Sequence, residues 1–187
     1  IRNAFSDQTS NDSFVYPNRA EEFYSSGRPL VEVMEEAITA LKHNNTEENK
    51  DIAEKMRRRF IDAIEADAFA NPFDMYKLNA ASRDINRAAS FDSDSKVIAL
   101  LEEINREVAS FKFILTEVKP DNKLAVFRLN NPYSTEKEEE VAVGDMLQDR
   151  FLIKTIAPRE VRLEDKSARG SGRQLISRYM ESVEALK

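Results

Sequence analysis

The hydrophobic residues of this chain change their spacing at Phe111. Upstream of it, apolar residues recur every three or four positions, whereas downstream they alternate with polar residues in short runs. The first spacing places apolar side chains on one face of an α-helix, and the second places them on one face of a β-strand. A chain that runs through helices and then through strands predicts an α+β protein.

Four apolar stripes with helical spacing precede Phe111. Their starts at Pro29, Thr46, Pro72 and Ser95 carry residues that suit the first turn of a helix. The second stripe is formed by Ile52, Met56, Phe60 and Ile64. We expect these helices to bury their stripes against one another in a helical domain over residues 28–110, or to pair with helices of a partner.

The segment before the helices follows neither period. Residues 1–27 are rich in Asn, Ser and Asp, and they carry aromatic residues at Phe5, Phe14, Tyr16, Phe23 and Tyr24. This pattern predicts a flexible, irregular arm. Its aromatic residues either pack locally on the helices or dock on a partner.

The segment after Phe111 predicts a small antiparallel β-domain over residues 111–166, folded as a barrel or a sandwich. Five short strands are expected, at Phe113–Val118, Leu124–Leu129, Val141–Val143, Phe151–Ile156 and Glu160–Leu163. Residues 167–187 then predict a glycine-containing linker and an amphipathic C-terminal helix. The apolar residues of that helix would be Leu175, Ile176, Tyr179, Met180, Val183 and Leu186.

The composition removes several kinds of chemistry. The 187 residues include one histidine and no cysteine. The absence of cysteine excludes disulfides, thiolate catalysis and cysteine-ligated zinc. Residues 1–110 carry 14 basic and 21 acidic side chains, and residues 111–187 carry 14 and 13. Because an acidic half gains little from counterion release, we do not expect broad nucleic-acid binding.

For three groups of polar residues we favour a structural role over a role in catalysis or ligand binding. His43 is expected at a helix C-terminus, where a cation interacts well with the helix dipole. The basic cluster Lys55, Arg57, Arg58 and Arg59 lies among acids that would pair with it, as in Glu54–Arg58 and Arg58–Asp62. The glutamates at 136 and 138–140 lack the pattern of a calcium loop and would keep a sheet edge soluble. The sequence therefore predicts no catalytic residue, no metal site and no cofactor, although it leaves an enzyme of unknown type as an alternative.

The run EVAVGDMLQDRFLIKTIAPREVRLED, from Glu140 to Asp165, is the most informative part of the chain. Its Val143, Gly144 and Asp145 predict a tight structural turn, since glycine accepts a positive φ and aspartate satisfies backbone donors. The run resembles the small β-domain of inner-membrane pilus-assembly lipoproteins of the PilP type and the homology region of the type II secretion C protein. The positions that match their pattern are Val143, Gly144, Asp145, Ile153, Ile156, Val161 and Leu163.

This resemblance covers about 55 residues, residues 111–166, and the four-helix region departs from the short tether of that family. It implies a non-catalytic scaffold that joins an inner-membrane complex to the periplasmic domains of a secretin. It implies a periplasmic protein, or one anchored in the membrane and facing the periplasm, whose leader or anchor would precede Ile1. Inner-membrane pilus proteins and further copies of the chain are the other partners considered.

In that family an exposed strand edge contacts the partner. The corresponding strand here is 112–118, and the candidate partner-binding residues are Lys112, Ile114, Thr116 and Val118. An alternative is that this strand is internal to the sheet or covered by the C-terminal segment.

A second function from another class stays open. An SH3-like barrel could serve as a nucleic-acid-binding module. The arginines that would carry it are Arg159, Arg162, Arg169, Arg173 and Arg178.

Overall fold

The computed structural model describes residues 16–119, 121, 123–169, 172–179 and 184–185. Within these residues, five helices precede eight strands. The helices are α1 (Ala20–Ser25), α2 (Leu30–His43), α3 (Glu47–Ala68), α4 (Met75–Phe91) and α5 (Ser95–Ser110). The strands are β1 (Phe113–Val118), β2 (Leu124–Leu129), β3 (Glu138–Ala142), β4 (Met146–Leu147), β5 (Phe151–Ala157), β6 (Glu160–Asp165), β7 (Gln174–Arg178) and β8 (Glu184–Ala185).

The predicted α+β class is confirmed. The strands form two antiparallel sheets, one of order β1-β2-β3 and one of order β4-β5-β6-β7-β8, so the described residues do not close a barrel. No helix in the described part of the chain has the length and apolar character needed to cross a membrane.

The chain divides into two compact units, 1–59 and 60–187, and the division falls inside α3. The sequence instead predicts a boundary near residue 110, where the period changes. The physical reason for the difference is that α4 and α5 belong to the same compact unit as the sheets. A change of secondary structure therefore does not mark the change of unit.

In the first unit, a buried amide joins three segments. Asn49 of α3 donates from Nδ2 to the carbonyl of Asn44, at 2.8 Å, just after α2 ends. Its Oδ1 accepts from Nδ2 of Asn18, at 2.9 Å. Because Asn49 is buried, these bonds replace the water that the amide would otherwise need.

The same unit corrects the expectation of an irregular arm. Residues 20–25 form the helix α1, with Glu21 and Glu22 in its first turn, where acids complement the helix dipole. Tyr16, Asn18 and Arg19 contact α2 and α3 through hydrogen bonds. The expectation for residues 1–15, including Phe5 and Phe14, lies outside the described residues.

In the second unit, α4 and α5 each begin directly after an aspartate cap, and for α4 this replaces the predicted start at Pro72. The Asp74 carboxylate accepts from the backbone N–H of Tyr76 at 2.8 Å, so α4 begins at Met75 and not at Pro72. Asp94 accepts in the same way from the N–H of Lys96, at 2.9 Å. Most residues of the predicted apolar stripes of both helices are buried: Leu78, Ala81, Ile85, Ala88, Val97, Leu100 and Ile104.

An aromatic core lies between the two sheets. Phe113 of β1 packs edge-on against Phe127 of β2, with ring centroids 5.7 Å apart, and lies 5.2 Å from Phe151 of β5. All three rings are at most 1% exposed. Burial of rings of this size supplies much of the hydrophobic stabilisation of a small β-domain.

The turn formed by Val143, Gly144 and Asp145 connects the two sheets. The Gly144 N–H donates to the carbonyl of Ile153 at 2.9 Å, and the Ile153 N–H donates to the carbonyl of Asp145 at 2.9 Å. The Asp145 carboxylate accepts from the N–H of Ala142 at 2.8 Å. The turn therefore passes the chain from β3 of one sheet to β4, which pairs with β5 in the other.

The predicted C-terminal helix is wrong. Gln174–Arg178 is the strand β7, which pairs with β6 over five residues and with β8 at Leu175 and Ile176. Leu175, Ile176 and Ser177 are all buried, because β7 lies between two strands and is covered on both faces. A short apolar run is compatible with both periods, and here the free edge of β6 decides for the strand. Met180, Val183 and Leu186 lie outside the residues whose side chains are described.

We expect Gly144→Val to lower the free energy of unfolding by about 1 kcal/mol or more. Gly144 has a φ of +95°, in the left-handed region, and an added Cβ meets no atom within 4 Å. The cost is therefore backbone strain and not a clash. Urea denaturation measures it, and Gly144→Asn should lose less, because asparagine tolerates positive φ better than valine. Equal stability of all three proteins would contradict this account of the turn.

Candidate functional site

The predicted partner-binding strand, β1, lies at the edge of the three-stranded sheet. It pairs with β2 alone in that sheet, from Phe113 opposite Leu129 to Val118 opposite Ala125. The register shifts between Leu115 and Glu117, so Thr116 lies in a β-bulge. Its hydroxyl donates to the carbonyl of Val126 at 3.1 Å.

The backbone groups of β1 alternate between its partner β2 and the open side. The Lys112 carbonyl accepts from the N–H of Asn130 at 2.7 Å, so Lys112 and, two residues on, Ile114 direct their backbone toward β2. Phe113 and Leu115 therefore direct theirs outward. After the bulge, the Val118 N–H also points away from β2.

The four candidate residues thus play different parts. The Val118 N–H faces the open side, whereas Lys112 and Ile114 would contribute side chains beside an added strand rather than backbone bonds. Thr116 lies in the bulge, where proline is tolerated, so a proline substitution there is not a clean probe of strand addition.

One residue after β7 already contacts the open side of β1. Tyr179 forms a single parallel bridge with Leu115. Its hydroxyl accepts from the Val118 N–H at 2.7 Å. The sequence does not predict this contact, because Tyr179 was assigned to a helix.

Four charged residues form a cluster where the end of α5 meets β5 and β6. We refer to them as the charge cluster: Glu107, Arg150, Asp165 and Arg173. Arg150 makes five hydrogen bonds, which matches its five N–H groups. Two go to each carboxylate, at 2.9 Å and 2.9 Å to Glu107 and at 3.0 Å and 2.8 Å to Asp165. The fifth goes to the Ser110 hydroxyl at 2.7 Å.

Aromatic rings enclose the two arginines of the charge cluster. The Arg150 guanidinium lies 5.0 Å from the ring centroids of both Phe111 and Phe151. The Arg173 guanidinium lies 3.5 Å from the centroid of Phe73, and its Nη1 lies 3.3 Å from Oδ2 of Asp165. These cation–π contacts and ion pairs compensate for the loss of water around buried cations.

The environment shifts the pKa values of the charge cluster in opposite senses. Burial alone would raise the pKa of Asp165, but hydrogen bonds from Arg150 and from the Ser167 N–H hold it below its ordinary value. Burial lowers the pKa of the Arg173 guanidinium, with Asp165 and Glu107 opposing the shift. Burial would also lower the pKa of Arg150, but its bonds to Asp165 and Glu107 raise it.

The charge cluster is suited to holding segments together and not to proton transfer. A general acid or base works best with a pKa near the operating pH, whereas Asp165 is kept ionised far from it. The cluster connects the end of α5, the start of β5 and the end of β6. The sequence does not predict it, because its members are separated by up to 66 residues, from Glu107 to Arg173, and carry no local motif.

The other candidate residues form local contacts. His43 ends α2 and stacks on Tyr16, with ring centroids 4.8 Å apart. In α3, Arg57 pairs with Glu54 at 2.7 Å and Lys55 pairs with Glu21 at 2.6 Å, so the pairs differ from the predicted ones. Among the described residues, no cluster of three or more histidine or acidic side chains could hold a metal ion.

The glutamates at 138–140 lie in β3, the other edge strand of the three-stranded sheet, and Glu136 precedes it. Glu138 and Glu140 are exposed, and Glu140 lies 3.4 Å from Nζ of Lys119. Exposed charges on an edge strand discourage unwanted pairing with other chains. This edge is therefore a poorer docking site than β1.

The five arginines considered for nucleic-acid binding do not come together. Arg173 is buried in the charge cluster, and Arg169 lies over the ring of Phe69 and pairs with Glu103. Arg162 pairs with Glu160 at 3.3 Å, and Arg159 is exposed in the turn after β5. Arg178 is the last residue of β7, and its side chain is not free of a partner either. An extended patch of unpaired arginines, which phosphate binding would need, is therefore not formed by these five residues.

We expect Asp165→Asn to lower the free energy of unfolding by about 3–5 kcal/mol at neutral pH. The substitution turns an N–H₂ group toward the donors of Arg150 and removes one of the two carboxylates that pair with Arg150 and Arg173. Chemical denaturation measures the loss. The matched control Asp121→Asn, at an exposed position, should change stability little.

The pH dependence of this loss has a defined sign. Because the pKa of Asp165 is lowered on folding, its stabilisation is present above the ordinary value of 3.8 and is lost as the pH falls through the folded value. The difference in unfolding free energy between the unsubstituted chain and Asp165→Asn should therefore be constant near neutral pH and shrink in acid. A difference that grows on acidification would contradict an ionised Asp165.

Comparison of the chain with protein-family models, with curated proteins and with solved structures finds no significant match. The resemblance of residues 111–166 to pilus-assembly and secretion domains therefore stays a prediction.

Proposed function

We propose that the chain is a non-catalytic structural adaptor of a bacterial type IV pilus or type II secretion-like envelope assembly. Its partners would be the periplasmic domains of a secretin or inner-membrane pilus proteins, and its place would be the periplasm or the periplasmic face of a membrane. The observation that carries the proposal is the edge position of β1. Its outward backbone groups at Phe113 and Leu115 can accept a strand from another chain.

A further support for this edge is the burial of two side chains of β1. Phe113 and Leu115 are buried and hold β1 on the aromatic core, so the strand is presented in a fixed, extended form. A preorganised edge loses little conformational entropy when a partner strand adds to it. The opposite edge, β3, carries exposed glutamates, so strand addition is favoured on one side of the sheet.

The turn of Val143, Gly144 and Asp145 also supports the proposal. These residues carry the resemblance, and their hydrogen bonds join the two sheets. Their part is thus structural, which agrees with a family whose β-domain performs no chemistry. The charge cluster supports the same reading, since both of its carboxylates form ion pairs with its arginines.

Ile114→Lys should weaken binding to a secretin's periplasmic domains by about tenfold or more. Ile114 lies on the outer face of β1, where side chains of an added strand would pack beside it, and a lysine there brings an ammonium group into that contact. Isothermal titration calorimetry with purified periplasmic domains measures the affinity.

The matched control is Val126→Lys. Val126 lies on the same face of the sheet and is half-buried like Ile114, but it belongs to the central strand β2. It should retain the affinity of the unsubstituted chain. Absence of binding by the unsubstituted chain, or equal loss in both variants at equal thermal stability, would contradict the proposed function.

A further inference from the structure

We infer that Tyr179 is an intramolecular occupant of the β1 edge and must leave before a partner strand can add there. The inference deepens the proposed function, and it rests on that proposal only for the identity of the partner. The contact itself is a property of this chain alone.

The first argument is that Tyr179 uses the groups that an added strand would use. It bridges Leu115, whose backbone faces outward, and its hydroxyl accepts from the outward N–H of Val118 at 2.7 Å. A strand added to β1 needs these same backbone donors and acceptors. Because one N–H cannot make two full hydrogen bonds, the two occupants exclude each other.

The second argument is that the contact is small enough to open. Tyr179 contributes one isolated bridge and one side-chain bond, whereas β7, directly before it, pairs with β6 over five residues. Tyr179 is itself only half-buried. Opening at Tyr179 therefore sacrifices few interactions and leaves the β6–β7 ladder in place, as is typical of a local opening.

The third argument is that the contact covers a strand edge that could otherwise pair non-specifically with strands of other chains. Strand edges with free N–H and C=O groups are templates for aggregation, and proteins commonly cover them. On β3 exposed glutamates serve this purpose, whereas β1 carries only Glu117 as an acid. Tyr179 gives β1 a cover that a specific partner can displace.

The first experiment measures amide hydrogen exchange in the chain alone. In Tyr179→Phe, which keeps the ring and removes the hydroxyl, the Val118 amide should exchange about tenfold faster, since one hydrogen bond is lost. The Phe127 amide of β2 should not change. The matched control Tyr133→Phe, an exposed tyrosine in the turn after β2, should leave both amides as they are. Unchanged exchange of Val118 in Tyr179→Phe would overturn the inference.

The second experiment supplies a strand in trans. A synthetic peptide that copies residues 174–187 should slow exchange at Leu115 and Val118 in Tyr179→Phe and should have at least tenfold less effect on the unsubstituted chain. Equal effects on both chains, or no effect on either, would mean that Tyr179 does not compete for the edge.

A third measurement separates this inference from the proposed function. If secretin periplasmic domains bind neither chain while the peptide distinguishes them, the occupant is established and the proposed partner is wrong. If the domains bind both chains with the same affinity and the peptide does not distinguish them, the partner uses another surface and the inference fails. Tighter binding of the domains to Tyr179→Phe supports both.

Discussion

The second compact unit depends on the hydrogen bonds of a single guanidinium. Arg150 bonds in pairs to Glu107 at the end of α5 and to Asp165 at the end of β6, and it lies between the rings of Phe111 and Phe151. A planar group with five fixed donors can bond two carboxylates through two hydrogen bonds each, whereas the three donors of a lysine ammonium cannot. Because Asp165 is buried and the other charges are largely shielded from water, loss of one partner would leave a poorly solvated charge without its pair.

This junction places the β1 edge. The chain leaves α5 at Ser110, whose hydroxyl accepts from Arg150, and β1 begins three residues later. Phe113 then inserts into the aromatic core, which leaves the outward backbone groups of β1 facing Tyr179. The proposed docking edge and its occupant thus follow from packing, and neither requires a reactive group.

Much of the secondary structure could be predicted from the sequence, because the spacing of apolar residues is a local property. The stripes of α2 to α5 and the alternation in β1, β2, β5 and β6 each depend on residues within one element. The failures occur where the local signal is ambiguous. Leu175, Ile176 and Tyr179 fit a helical spacing as well as a strand, and the free edge of β6 decided between them.

The candidate site was predicted less well than the fold. β1 was identified from its alternation, but the direction of its backbone groups depends on the register with β2 and on the bulge at Thr116. The charge cluster had no signal in the sequence. Arg173 was considered only as one of five arginines for nucleic-acid binding, and its neighbours in the sequence do not indicate that it is shielded from water.

The sequence by itself determined the α+β class, the helical stripes and the turn at Gly144, since periodicity and a residue's backbone preferences act over a few positions. Only the tertiary structure decided that the C-terminal segment is a strand, that Arg173 is buried, and that Tyr179 covers β1. Those outcomes depend on which distant groups remain unpaired once the elements meet, because a buried backbone or charged group must find a partner wherever the chain supplies one.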